Sequence, residues 1–163
     1  MSGSRKLLIV GSLALALWGL GYGLYYAVFV EHQMLDGLGS SLATGFVRAA
    51  ERRLPESQAS LDEAAQRSYV YVRQVDAHGH WISLALLLLI LGIGFDRVAF
   101  EERIRFYLAL ALFAGSLLFP LGVLLETWSR GQGPQCLAIG GSGLVIAGLG
   151  GVAWGFARAG APR

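Results

Sequence analysis

The sequence predicts an all-α membrane protein: a four-transmembrane-helix bundle whose helices 1 and 2 extend into an extracytoplasmic helical hairpin. Two observations predict it. Four long apolar stretches, Leu7 to Val30, Trp81 to Phe95, Tyr107 to Leu125 and Leu137 to Phe156, interrupt the chain, and a bilayer core takes about 20 helical residues to cross. Of the 163 residues, 55% are hydrophobic and only 15% charged, too apolar for an ordinary soluble domain, so residues 1–163 are expected to form one membrane domain. The second stretch is the shortest and must borrow apolar residues from its flanks to span.

The first stretch follows Arg5 and Lys6 as a signal peptide's apolar region would. It is longer than such a region and no small-x-small cleavage site follows it, so it reads as an uncleaved first helix.

The segment from Glu31 to His80 then reads as helix. Leu35, Leu38, Leu42 and Phe46 recur at helical spacing, with Asp36, Ser40, Thr44 and Arg48 on other faces, so the first helix is expected to continue outward as an amphipathic one. Pro55 is expected to stop it. Ser60-Leu61-Asp62-Glu63 fits a capping box that starts the returning arm, in which the Ser oxygen and the Glu carboxylate satisfy free backbone N–H groups. Tyr69-Val70-Tyr71-Val72 is rich in β-branched and aromatic residues and leaves a short strand open as an alternative. Arms of about 22 residues would stand roughly 30 Å above the membrane. Their apolar stripe either offers a surface to a partner or glues the two arms together.

The third spanning helix contains Pro120, whose ring removes one helical hydrogen bond and leaves the Ser116 carbonyl without its usual donor, so a kink is expected near its outer end. The fourth is rich in glycine, and Gly143, Ala147, Gly151, Gly155 and Ala159 are each four apart; the first carries a shorter set in Gly19, Gly23 and Ala27. Lipid gives helices no hydrophobic reason to associate, so small residues that let backbones approach are expected to carry the helix contacts. Those contacts lie inside the bundle, with a second copy, or with other membrane subunits.

The net charge of +2 comes from 13 basic and 11 acidic residues without a long run of one sign, which excludes the pattern of a nucleic-acid binder and leaves the lipid bilayer and other membrane chains as partners. Arg5 and Lys6, the group Arg97, Arg103 and Arg105, and the tail residues Arg158 and Arg163 stand against Arg130 in the short loop between helices three and four. The long segment carries five Arg and seven acids and weighs little in the positive-inside rule, so both termini are expected to be cytoplasmic, in a bacterial inner membrane.

One constellation can carry chemistry. His32 follows the first helix, His78 and His80 precede the second and Glu126 closes the third, so topology is expected to bring them to one membrane face at similar depth. Such groups suit copper, zinc or non-haem iron, and two imidazoles from different helices can ligate a haem. His78 and His80 are two apart, so on a continuous helix they point about 200° from each other and at most one is a ligand. Asp76 lies one turn from His80 and can orient its imidazole; Glu31, Met34, Asp36 and Cys136 lie near the same level. The plain alternative is that these residues, with Trp81 and Trp128, anchor the interface. Cys136 is the only cysteine, which rules out an internal disulfide and a Cys-rich metal framework.

The stretch Ala77-His78-Gly79-His80-Trp81-Ile82-Ser83-Leu84 resembles the His-bearing helix mouths of haem–copper oxidase core subunits and of small membrane proteins related to them. The resemblance covers about one helix of four, and the further histidine-bearing helices of that family have no counterpart here, so no residue role is carried over. No Ser/His/Asp set, phosphate loop or His-Glu-x-x-His pattern occurs. The expected function is that of an accessory subunit or assembly and interaction factor of a membrane complex. A metal- or haem-binding redox protein is the alternative. A channel or transporter comes third, because no charged residue lies well inside a spanning segment.

Overall fold

The computed structural model describes residues 1–129 and 131–159. Among them are five α-helices, α1 (Gly3–Phe29), α2 (Glu31–Ala50), α3 (Leu54–Gly94), α4 (Glu102–Leu125) and α5 (Gln132–Ala159), with a 3₁₀ turn at Phe95–Arg97 and no strand. Four of the helices, α1, α3, α4 and α5, are long and apolar enough to cross a membrane. Tyr69-Val70-Tyr71-Val72 lies inside α3, so the strand alternative falls.

The helix ends explain the path of the chain. Ser2 caps α1, its Oγ accepting the Arg5 N–H at 3.3 Å. Only Val30 separates α1 from α2, and its N–H still bonds Tyr26 O while its own carbonyl accepts from Met34, so the helical hydrogen bonding is almost unbroken. α2 ends where Arg52 turns left-handed at φ 59° and the Arg53 N–H reaches back to Arg48 O at 2.9 Å, a C-terminal cap that usually employs glycine. Pro55 stops nothing. It sits in the first turn of α3, where its missing N–H would have had no helical partner, and α3 therefore starts six residues before the expected capping box. The Ser60 hydroxyl bonds back to Glu56 O at 3.1 Å in the helix interior and caps no helix start.

α1 and α2 together run antiparallel to α3. Along the pair Gly92 meets Leu8 and Ile9, Gly19 meets Trp81 and Ile82, Gly23 meets His78, Gly37 meets Arg67, and Gly45 meets Leu61. The Ser57 hydroxyl closes the far end by donating to Gly45 O at 2.9 Å. Buried positions fall at Ala77, Trp81, Ala85, Leu88 and Gly92 on α3 and at Phe95 in the turn after it, opposite Leu8, Ser12, Leu15, Gly19 and Tyr26 of α1. Steps of four mixed with steps of three keep one face on the neighbour when helices cross at a shallow angle.

α4 packs against α3 and α1, and α5 packs mainly against α4. In that last pair Gly115 faces Gly141, Gly122 faces Ala138, and Gly148 faces Leu112. Trp81, fully buried, joins α3 to α4 by donating its indole N–H to Leu117 O at 3.4 Å. Pro120 is buried within α4, which continues to Leu125.

Two polar layers bracket the apolar helices. At one end are Ser2, Arg5, Asp96, Glu102 and Arg105; at the other are Glu31, Tyr69, Tyr71, Arg73 and Glu126. Arg73 and Asp96 are 23 residues apart on α3 and its following turn, about 35 Å at the rise of an α-helix. That separation suits a hydrocarbon core of about 30 Å. The part of α3 between the layers thus adds Gln74 to His80 to the apolar run from Trp81, so the flank that the short second stretch borrows carries Gln74, Asp76, His78 and His80 among its apolar residues.

Candidate functional site at the Glu126 end

The antiparallel register decides where the expected ligands go. His32 is exposed on the first turn of α2, while His78 lies opposite Gly23, eight residues deeper than Glu31, or about 12 Å. The histidines therefore do not share one level. His78 Nδ1 lies 2.9 Å from Gly19 O. A carbonyl can only accept, so Nδ1 carries the proton and donates. The ring fills the space left by the absent side chain of Gly23, where any Cβ would collide with it. His80 points the other way, its ring 4.7 Å from that of Phe119 on α4. The near-opposite directions expected of two residues on one helix appear as contacts with two different neighbours.

Glu126 has partners of its own. Its Oε2 accepts from Tyr69 OH at 3.2 Å and pairs with Arg73 Nε at 3.3 Å, and the Arg73 guanidinium lies 5.3 Å from the Tyr69 ring centre. At 14% side-chain exposure the carboxylate is largely screened from water, where such a pair is worth more than at an open surface. Glu31 accepts from Tyr71 OH at 3.3 Å. Asp36 and Cys136 are exposed, and Met34 and Asp76 half-buried. Among the described residues no group of three or more His, Cys, Asp or Glu side chains could hold a metal ion, so the expected gathering of His32, His78, His80 and Glu126 does not form.

What the register does gather is aromatic. Tyr22 stacks on Tyr26 at 6.3 Å and meets Trp81 edge-on at 5.6 Å, Trp18 meets Trp81 at 5.9 Å, and Tyr26 meets Tyr71 at 6.4 Å. These rings fix α1 to α3 beside His78. Pairs of this kind add about 0.5–1.5 kcal/mol each beyond the area they bury. Reading the apolar runs alone missed them; the signal was Tyr22 and Tyr26 one turn apart, facing Tyr71 and Trp81.

The small residues divide in the same way. Gly19 and Gly23 face α3, while Ala27 is exposed. On α5, Gly151 meets Leu108 and Gly155 meets Val98 and Phe100, but Gly143 has nothing within 4 Å and Ala147 and Ala159 are exposed. A step of four advances about 400°, so a series of fours drifts some 40° per step and winds off the contact face. The buried face is carried by Gly141, Gly148 and Gly155, seven apart, with Val145 and Val152 between them; Gly141 and Gly148 meet α4, and Gly155 meets the segment that leads into it.

The opposite polar layer is a clamp on the N-terminus. Ser4 is fully buried; its backbone N–H donates to Glu102 Oε1 at 2.9 Å and its hydroxyl to Oε2 at 3.1 Å. Arg105 Nη2 pairs with Glu102 at 3.1 Å, while Arg5 Nη1 and Ser2 Oγ hold Asp96 at 3.1 and 2.6 Å. In the turn beyond the end of α3, the hydrogen bond from Ser2 and the neighbouring Arg5 hold the Asp96 carboxyl below its ordinary range. Compared with known protein families, curated proteins and solved structures, the chain shows no match.

Proposed function

We propose that this chain is an integral protein of a bacterial inner membrane that serves as an accessory subunit or as an assembly and interaction factor of a membrane complex. Its four spanning helices form a bundle in the lipid, its termini are cytoplasmic, and α2 with the first half of α3 stands outside as a hairpin. The gathering of Arg5, Lys6, Arg97, Arg103, Arg105 and Arg158 at the end that holds both described termini supports this orientation. Arg130 and Arg163, which entered the same argument, lie outside the described residues.

The observation that carries the role is the outward face of α2. Leu35, Leu42, Phe46 and Val47 are 43, 38, 70 and 56% exposed, and Leu54 near the turn is 68% exposed. The arms are joined instead by small residues, with Ser41, Gly45, Ser57 and Ala64 buried between them. Of the stripe, Leu35, Leu42 and Phe46 are exposed and Leu38 is half-buried, so most of it is left uncovered by the other arm; it lies beyond the polar layer of Glu31 and Glu126, where lipid would not cover it. An exposed apolar stripe of this kind suits a contact with another protein. The test is purification in mild detergent of the wild type and of Leu42→Glu and Phe46→Glu. Membrane chains that accompany the wild type should be lost from the variants while helicity and thermal midpoint stay unchanged. Retention of the same companions by both variants would remove the support for this role.

A further inference from the structure

We infer that α1 carries a binding groove for an anionic phospholipid of the leaflet on the Arg5 side. Three hollows follow one another along this helix. The first, about 380 Å³, is lined by Gly3, Lys6, Leu7, Val10, Gly11 and Ala14. It shares Ala14 with a second, about 200 Å³, that α1 forms with Phe113 and Leu117 of α4, and Trp18 leads from there to a third of about 330 Å³. From Lys6 to Trp18 is 12 residues, about 18 Å of helix, comparable with the half-thickness of a hydrocarbon core.

The lining is apolar except at one end, where Lys6 stands at the level of the polar clamp. The carboxylates of that clamp are already matched: Asp96 by Arg5, and Glu102 by Arg105. Lys6, Arg97 and Arg103 are exposed and make no ion pair among the described residues. A groove with hydrocarbon walls and an uncompensated cation at its mouth is complementary to an acyl chain bearing a phosphate headgroup. A zwitterionic lipid fills the same walls but brings its own cation to the Lys6 ammonium, which disfavours it. Gly11 lines the first hollow and lets the Phe113 ring of the second come close to α1, because a Cβ there would stand 2.8 Å from that ring. The assignment requires only that α1 cross the bilayer; it is independent of any partner on the outer hairpin.

The test uses the full chain in phosphatidylcholine vesicles containing trace spin-labelled phosphatidylglycerol or spin-labelled phosphatidylcholine, and reads the motionally restricted fraction of each. Phosphatidylglycerol should be held about fivefold more strongly, the factor one cation near the surface contributes. Lys6→Gln should bring that ratio close to one and leave the total restricted lipid unchanged. Ala14→Trp, at an exposed position on the groove wall, should lower the restricted fraction of both lipids. The site is refuted if Lys6→Gln leaves the ratio intact, if Arg103→Gln lowers it as much as Lys6→Gln, or if Ala14→Trp changes neither fraction, since each result describes ordinary boundary lipid.

Discussion

Gly141→Ala and Gly143→Ala, one methyl group each and two residues apart on α5, should have opposite effects. A Cβ at Gly141 would stand 2.8 Å from Phe119 Cα and 2.9 Å from the Leu118 carbonyl carbon, whereas one at Gly143 meets nothing within 4 Å. Backbone atoms of α4 cannot swing aside as a side-chain tip can. The two helices must separate by nearly 1 Å at this point to restore ordinary contact, and Gly115, whose own Cβ position lies 2.6 Å from Gly141 O, loses its fit with them. Overpacking of this kind costs about 1–3 kcal/mol, and Ala recovers up to about 1 kcal/mol over Gly as a helix former. The net expectation is a loss of about 1–2 kcal/mol for Gly141→Ala and a gain of up to about 1 kcal/mol for Gly143→Ala. Reversible unfolding in mixed detergent, followed by circular dichroism, measures both. Equal destabilisation by the two variants would mean that α5 meets a neighbour through its other face, and the packing described above would be wrong.

Arg52 is the one non-glycine residue with positive φ among those described, so Arg52→Gly should stabilise the hairpin by about 1 kcal/mol in the same unfolding assay, and a loss would show that the Arg side chain contributes more than its backbone costs. Cys136 is exposed and lies on α5 near the level where Ala138 meets Gly122, so a membrane-impermeant maleimide added outside intact cells should label it, as it should a cysteine in place of Arg52; labelling of both only after the membrane is opened would invert the orientation. Because the Asp96 carboxyl is held below its ordinary range in the folded protein, its contribution is complete above that range and disappears as pH falls through the lowered value. The thermal midpoint of Asp96→Asn should thus lie below that of the wild type at neutral pH and converge with it in acid, and a gap that persists in acid would assign the effect to packing.

The spanning helices were legible because hydrocarbon leaves a backbone few alternatives: about 20 apolar residues in a row have to be helix. The second was legible only in part, since Gln74, Asp76, His78 and His80 break its apolar run although all four lie between the polar layers. Pairing was not legible at all. That His78 faces Gly23 and His32 faces water depends on the antiparallel register of α1 and α3, which is set by contacts far apart in sequence such as Gly92 with Leu8. The glycines of α5 posed the same difficulty: with Gly140, Gly141, Gly143, Gly148, Gly150, Gly151 and Gly155 distributed around the helix, both a four-residue and a seven-residue pattern can be drawn. Only the position of α4 selects between them. In the outer segment Pro55 was misread because a proline that blocks one helix is equally at home opening the next.

α3 runs 41 residues without a break, about 60 Å, from the Arg52 turn to the clamp at Asp96. Its second half is apolar enough to cross a bilayer, and no break separates that half from the first. On the proposed reading, a partner seated on Phe46 that displaced the tip sideways by about 6 Å would tilt the helix axis by roughly 6°. Because the helix is unbroken from that turn past Trp81, such a tilt would be felt at the rings that join α1 to α3.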